Sequence, residues 1–129
     1  MNRIIEPEGL PAAVGFSHAI ESGGERILHI AGQIGQRPDG TIPEDLVDQF
    51  RQALANVVVC MEEAGFPPES LTRMTIFTTE IGVYRESLKP LGRVYREVFG
   101  HHYPAIALLG VQELFEPEAK VEVVCTAVV

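Results

Sequence analysis

The feature that most constrains the fold is an apolar stripe in residues 46–61. Apolar side chains recur there at steps of three and four residues, the spacing that places side chains on one face of an α-helix. Thr41 and Glu44 have the spacing of a capping box, with Pro43 in the first turn. Gly65 is suited to end the helix. The pattern predicts an amphipathic helix whose buried face consists of Leu46, Phe50, Leu54, Val57, Val58 and Met61.

The other segments predict a second helix and five strands. Helical spacing returns in residues 88–99, where Pro90 favours a regular helix that starts near it and Gly100 ends it. Residues 22–25 are turn-forming and would join the first two strands as a hairpin. The order of elements favours a single α+β domain over residues 1–129, with two helices packed on one face of a sheet. The predicted strands are residues 16–20, 26–31, 71–81, 106–111 and 120–129.

The strand at residues 106–111 is apolar on both of its faces. Ile106, Leu108 and Gly110 alternate with Ala107, Leu109 and Val111. Two helices can cover only one face of a sheet, so the second face needs another cover. In a chain this short we expect a second copy to provide it, which predicts an oligomer with its sheets facing the centre.

Composition excludes several classes of function. The formal net charge is −8 and no basic cluster is present, which argues against binding to nucleic acid. No stretch reaches the ~20 apolar residues of a membrane helix, and the N-terminus does not resemble a signal peptide, so we expect a cytoplasmic protein without membrane contact. Cys60 and Cys125 lie in apolar runs and are expected to be inert thiols rather than a disulfide.

Short motifs follow one another along nearly the whole chain in the order and spacing of a known family. The motifs are Gly15-Phe16-Ser17-His18-Ala19, Ala31-Gly32-Gln33-Ile34, Gln52-Ala53-Leu54-Ala55-Asn56-Val57 with Ala64-Gly65, Thr75-Ile76-Phe77, Tyr95 to Phe99, Tyr103-Pro104-Ala105 and Val121-Glu122-Val123. By these motifs the chain resembles the RidA/YjgF family, also described as endoribonuclease L-PSP-like proteins.

The resemblance implies a chorismate-mutase-like fold with a mixed sheet, and a homotrimer with clefts between its subunits. It also implies hydrolysis of enamines and imines such as 2-aminoacrylate without metal or cofactor. In the family an arginine holds the substrate carboxylate, and this chain has Ile106 at that position. The family's pocket cysteine, tyrosine and serine correspond to Leu108, Phe16 and Ala31, and only its glutamate remains, as Glu122. The predicted pocket is therefore apolar.

From the resemblance, Glu122 is the candidate catalytic residue, since a glutamate facing an apolar pocket suits proton transfer. The alternative for Glu122 is an outward position on an alternating strand. His18 could replace a lost polar group near the cleft, or it could be a strand histidine satisfied by backbone. The predicted ligand-binding residues are Phe16, His18, Ala31, Gly32, Tyr103, Ile106, Ala107 and Leu108.

Two further groups of residues are candidates for the site. Arg93 and Arg96 could supply the missing cation from the second helix, although a solvated helix face is the simpler interpretation. His101 and His102 do not predict a metal site, because adjacent side chains point apart and no further ligand stands at a suitable spacing. We expect neither metal nor cofactor.

The sequence leaves three functions to compare. The first is hydrolysis or tautomerisation of an enamine or imine that is bulkier and less acidic than 2-aminoacrylate. The second is a non-catalytic trimer whose clefts bind a metabolite. The third is endoribonuclease activity, which the acidic charge and the missing arginine disfavour.

Overall fold

The computed structural model describes residues 1–129 and contains six strands and three α-helices. A short 3-10 turn at Pro68–Ser70 leads into the fourth strand. The elements are β1 (Asn2–Ile5), β2 (Ala19–Ser22), β3 (Ile27–Ile34), α1 (Leu46–Ala64), β4 (Leu71–Thr78), α2 (Ile81–Glu86), α3 (Leu88–Phe99), β5 (Ala105–Gly110) and β6 (Val121–Val128).

The main sheet has four strands in the order β3-β6-β4-β5. β6 is antiparallel to both of its neighbours, whereas β4 and β5 are parallel and are connected by the crossover through α2 and α3. The sheet is therefore mixed, and β5 forms one edge. The prediction of an α+β fold with a mixed sheet is confirmed.

The core lies between α1, α3 and one face of this sheet. Residues alternate along β6: Val121, Val123, Cys125 and Ala127 are buried with the helices, and the residues between them lie on the opposite face. A fully buried aliphatic or aromatic side chain contributes about 1.5–3 kcal/mol, so this single interface carries most of the fold's stability. The helical contributions to the core are Leu46, Phe50, Ala53, Leu54, Val57 and Met61 from α1 and Leu91, Val94, Tyr95 and Phe99 from α3.

The first helix begins later than its sequence pattern predicts. Its N-cap is Asp45, whose carboxylate accepts a hydrogen bond from the backbone N–H of Asp48 at 3.2 Å. The predicted capping box of Thr41 and Glu44 is wrong, because the Thr41 N–H and hydroxyl both donate to the Asp39 carboxylate in a preceding turn. An aspartate inside a turn competes for the same donor that the capping box would use.

Glycine ends both long helices, as the sequence predicts. Gly65 has a φ of 76° after α1, and Gly100 has a φ of 61° after α3. The second predicted helix corresponds to α3, and Pro90 lies in its first turn, whereas the short helix α2 before it was not predicted. A proline is tolerated there because the N–H groups of the first turn have no helical partner.

The predicted hairpin between residues 16–20 and 26–31 is wrong. β2 pairs with β1 in a separate two-stranded ribbon, and β3 pairs with β6 near the other end of the chain. The turn residues pack on the C-terminus, where the N–H groups of Glu25 and Arg26 both donate to the carbonyl of Val129. The pairing of strands depends on packing across the whole sheet. Turn-forming residues between two strands do not determine that packing.

Both cysteines are free, as expected. Cys60 is half-buried, and burial raises the pKa of the Cys125 thiol to about 12.

No helix is both long enough and apolar enough to cross a bilayer.

Candidate functional site

An apolar cavity of about 540 Å³ lies between the edge strand β5, helices α2 and α3, and the loop that precedes β2. Eleven of its fourteen lining residues are hydrophobic, a composition typical of small-molecule sites. The residues that shape it most directly are Phe16, Tyr84, Leu91, Tyr103, Ile106 and Leu108.

The register of the parallel pair explains why Ile106 and Leu108 line this cavity. Ile106 is paired with Met74 and Leu108 with Ile76, and both of these β4 residues are buried in the core. Paired residues share a face of the sheet, so Ile106 and Leu108 face the helices. The cavity lies between these two side chains and residues of α3 such as Leu91.

The loop before β2 is held against the start of β5. The Ser17 N–H donates to the carbonyl of Pro104 at 2.9 Å, and the Ser17 hydroxyl donates to the carbonyl of Tyr103 at 2.6 Å. These two hydrogen bonds fix the neighbouring Phe16 and Tyr103 at the cavity. The Gly-Phe-Ser-His motif thus builds a wall of the site from a segment far from β5 in sequence.

Aromatic side chains form the helix side of the cavity. Tyr95 stacks on Tyr103 with ring centroids 5.1 Å apart, and its hydroxyl donates to the carbonyl of His102 at 2.7 Å. Burial raises the pKa of Tyr84 to about 12 and raises the pKa of Tyr95 well above its ordinary value. Both phenols are therefore neutral near pH 7 and add no charge to the site.

Glu122 lies on the opposite face of the sheet from this cavity. Its partners across the sheet are Phe77 and Ile34, and it alternates with the buried Val121 and Val123. The side chain is half-buried, and its carboxylate has no hydrogen bond or ion pair within the chain. A carboxylate in this position is free to accept a proton or to orient a water molecule.

Gly32 makes the space that the Glu122 carboxylate occupies. β3 has a register shift between Ile30 and Gln33, so Ala31 and Gly32 form a bulge. A Cβ atom at Gly32 would lie 2.7 Å from Oε2 of Glu122, well inside van der Waals contact. Any other residue at position 32 would push the carboxylate away.

The predicted site residues therefore fall into two groups. Phe16, Tyr103, Ile106 and Leu108 are brought together at the cavity on the helix side. The open face of the sheet instead carries Ala31, Gly32, Ala107 and Glu122. A single chain does not bring the two groups together.

His18 lies beside the first group. Its Nε2 is 2.7 Å from the carbonyl oxygen of Pro11, and its ring packs edge-on against Phe16 at 5.0 Å. It lines a second cavity of about 580 Å³ between β1 and the N-terminal loop, which shares Phe16 and Tyr103 with the first. A backbone carbonyl thus satisfies one ring nitrogen of His18.

In the histidine pair after α3, His102 has a structural role. Nε2 of His102 is 2.7 Å from the carbonyl oxygen of Leu71, which ties the loop to the start of β4, and His101 is exposed. No three His, Cys, Asp or Glu side chains lie close enough together to hold a metal ion.

Several cavity residues were not predicted as site residues from the sequence. Leu88, Leu91 and Tyr95 belong to the apolar stripe of the second helix, but spacing alone does not show that part of the stripe lines a cavity. Tyr84 stands in α2, which was not predicted as a separate helix. Arg96 lines the cavity whereas Arg93 does not, a difference that depends on how α3 is rotated against the sheet.

A mixed sheet with its long helices on one face and an apolar cavity at its edge strand places this protein in the class of small α+β proteins with the YjgF/Rid fold. The model of the endoribonuclease L-PSP family matches residues 7–129. The chain belongs to this family, which is the RidA/YjgF family.

Curated relatives and solved structures agree with this assignment. A RutC family protein of Aquifex aeolicus is 35% identical, over 95% of this chain and 97% of the relative. A Rid family protein of unknown function from Yersinia pestis, YyfB, superimposes with a TM-score of 0.89 at 32% identity, covering 99% of this chain and 98% of the other. Escherichia coli TdcF, named a putative reactive intermediate deaminase, has a solved structure with bound serine. That structure has a TM-score of 0.70 and 30% identity over 98% of each chain.

Proposed function

We propose that this protein acts on an enamine or imine intermediate, by hydrolytic deamination or tautomerisation, in clefts between its subunits. Its substrate preference differs from that of relatives that take 2-aminoacrylate, because Ile106 stands where they carry the carboxylate-binding arginine. The observation that carries the proposal is the position of Glu122, an unpaired carboxylate on the open sheet face, on the opposite side from the apolar cavity at Ile106 and Leu108.

Two copies of the chain are needed to complete such a site. Residues on opposite faces of one sheet cannot contact the same small molecule, but the open face of one subunit can meet the β5 edge of the next. The open face is suited to burial, since Leu109 is 45% exposed, Phe77 is its partner on β4, and Val124 lies on the same face of the sheet. A homotrimer with its sheets facing the centre, as the resemblance implies, is the arrangement we propose.

Glu122 can supply the chemistry in this arrangement. With a protonated imine, its carboxylate takes a proton from water while the water oxygen bonds to the imine carbon, and it returns that proton to the nitrogen of the resulting carbinolamine. As the C–N bond breaks, the carboxylate takes the proton of the new hydroxyl group, so that a carbonyl product forms and ammonia leaves. As an edge strand, β5 leaves part of its backbone N–H groups without a strand partner. The backbone of residues 106–108 can therefore donate hydrogen bonds to the substrate.

Loss of the arginine changes which substrates fit. A charge-assisted hydrogen bond contributes about 1.5–3 kcal/mol, and Ile106 offers none, so a small acidic imine loses its main anchor. An apolar group gains contact with Ile106, Leu108 and Phe16 instead. We therefore propose a bulkier substrate than 2-aminoacrylate. The deaminase names of relatives such as TdcF support the reaction class.

The proposal is tested by generating imines from several amino acids with an amino-acid oxidase and trapping the surviving imine with semicarbazide. The protein should accelerate imine loss, most strongly for bulky apolar amino acids. Glu122→Gln should lower the rate by at least ~10²-fold. Glu116→Gln is the matched control, because Glu116 lies in an exposed loop and should have no effect. Sedimentation analysis checks the trimer in parallel.

The converse substitution tests the argument about the cavity. Ile106→Arg should confer or increase hydrolysis of the imine of 2-aminoacrylate, because it restores a cation at the family's position. If it confers no such hydrolysis while the protein remains folded, the missing arginine is not what sets the substrate preference.

A second candidate function is non-catalytic binding of a metabolite in the same clefts. The apolar composition around Ile106 and Leu108 favours it, since four of the family's pocket positions have lost their polar groups here. No acceleration with any amino acid would make this function the better account. Cleavage of RNA by highly purified protein would instead favour the endoribonuclease activity. Location in the cytoplasm stays a prediction.

A further inference from the structure

Arg96 is the only charged residue that lines the apolar cavity. Apart from eleven hydrophobic residues the lining contains Gly15, Gly92 and Arg96, so no acidic side chain faces this guanidinium across the cavity. A cation with no acidic residue in the same cavity lining is unusual in a protein of net charge −8. The cavity thus combines an apolar body with a single positive charge on α3.

The Arg96 guanidinium is not used within the protein. The side-chain ion pairs of the chain involve Arg3 and Arg51, and the Glu97 carboxylate next to Arg96 is 3.8 Å from Arg51. Arg96 donates no side-chain hydrogen bond, whereas Arg26, for example, donates to a backbone carbonyl at 2.7 Å. All five guanidinium donors of Arg96 are therefore available to a ligand.

Gly92 gives this guanidinium its position. The two residues are four apart on α3, which places them on the same face of the helix. A Cβ atom at Gly92 would lie 3.1 Å from Nη1 of Arg96. Glycine is unfavourable inside a helix relative to alanine, and Gly92 has neither a positive φ nor a close backbone neighbour that would require it. The space it leaves is filled by the guanidinium.

We infer that Arg96 is the anion anchor of this cavity, and that the ligand is an amphipathic monoanion: a bulky apolar body in the cavity with one carboxylate on Arg96. The inference deepens the proposed function, on which it rests only for the identity of that ligand as a substrate. It also revises the expectation of a less acidic substrate. A carboxylate is accepted, but on α3 rather than at position 106, so the apolar body lies over Ile106 and Leu108.

Isothermal titration calorimetry with 4-phenylbutyrate and its neutral amide tests the anchor without any turnover. The wild-type protein should bind the carboxylate at least about ten-fold more tightly than the amide. Added salt should weaken binding of the carboxylate but not binding of the amide. Arg96→Met keeps much of the apolar stem, and it should lower carboxylate affinity to that of the amide. Arg93→Met, on the same helix but outside the cavity, should bind both as wild type does.

A second variant tests the role of the glycine. Gly92→Ala should raise the melting temperature because alanine favours the helix, and it should weaken binding of the carboxylate but not of the amide by displacing the guanidinium. A loss that came from unfolding would lower the melting temperature and weaken both probes equally.

The inference is overturned if neither probe binds, if Arg96→Met leaves the carboxylate preference intact, or if Arg93→Met removes it equally. Hydrolysis is measured separately on the same variants. Imine hydrolysis that is unchanged in Arg96→Met shows that the anchored ligand is not the substrate, and it leaves the proposed function standing. Carboxylate binding that depends on Arg96, in a protein that hydrolyses no imine, supports the anchor and contradicts the proposed function. A raised KM with unchanged kcat in Arg96→Met supports both.

Discussion

Replacing Gly32 by alanine should displace the Glu122 carboxylate while leaving the fold intact. The new Cβ atom would lie 2.7 Å from Oε2 and 2.8 Å from Cδ of Glu122. Comfortable contact between carbon atoms begins near ~3.5 Å, so the carboxylate has to retreat by about 0.7 Å. The three atoms nearest to the new Cβ atom all belong to the flexible side chain of Glu122.

The cost in stability should be small for the same reason. Alanine in place of glycine at an unstrained position stabilises a protein by about 0.4–1 kcal/mol through the unfolded state. Rotation of one half-buried glutamate opposes this gain by a similar amount. The free energy of unfolding should therefore change by less than about 1 kcal/mol. By contrast, a misplacement of about 1 Å in a reacting group can lower a rate by roughly 10²-fold.

The assay is the rate of imine hydrolysis, measured with chemical denaturation of the same samples at one protein concentration. Gly32→Ala should lose about 10- to 100-fold in kcat/KM. Gly82→Ala is the matched control, since a Cβ atom at Gly82 meets nothing within 4 Å, and it should keep wild-type activity. A Gly32→Ala protein with full activity would refute the assignment of Glu122 to the reacting centre. Equal losses of stability and activity would show that Gly32 is needed only for packing of the fold.

Gly35→Ala should destabilise the fold by about 3 kcal/mol, or roughly 10 °C in Tm, because its Cβ would lie 2.5 Å from the backbone oxygen of Gln49 in α1. Asp45→Ala should cost about 1 kcal/mol in urea denaturation by removing the N-cap, and asparagine at this position should restore most of it. The contribution of Cys125 and Tyr84 to stability should be fully present below about pH 9 and should be lost as the pH rises toward 12, because both groups keep their protons to about pH 12 in the folded state.

Each of these predictions has a result that would contradict it. A wild-type melting temperature for Gly35→Ala would mean that α1 can shift freely on β3. An Asp45→Asn protein as unstable as the alanine variant would show that the side-chain hydrogen bond is not the cause. The alkaline loss should become shallower in Tyr84→Phe, since a buried phenol with its pKa raised from 10.0 to about 12 contributes on the order of 3 kcal/mol. An unchanged dependence of stability on pH in Tyr84→Phe would show that ionisation of Tyr84 does not cause the alkaline loss.

Features set by neighbours in the chain were predictable from sequence. The stripe from Leu46 to Met61 identified α1, and the glycines at 65 and 100 marked where two helices end, because helical periodicity and left-handed φ angles are local properties. Strand pairing was not predictable in this way. β1 was missed altogether, since four residues before a proline carry almost no signal, and β3 was assigned to the wrong partner.

The sequence by itself determined the family, the α+β class and the apolar character of the site. Each of these depends on which residue types occur and in what order, and Ile106 and Leu108 share a strand face by simple alternation. Only the tertiary structure decided that Glu122 lies on the opposite face from them and that Arg96 rather than Arg93 lines the cavity. Those outcomes depend on strand register and on the rotation of α3 against the sheet, which the packing of the whole core determines.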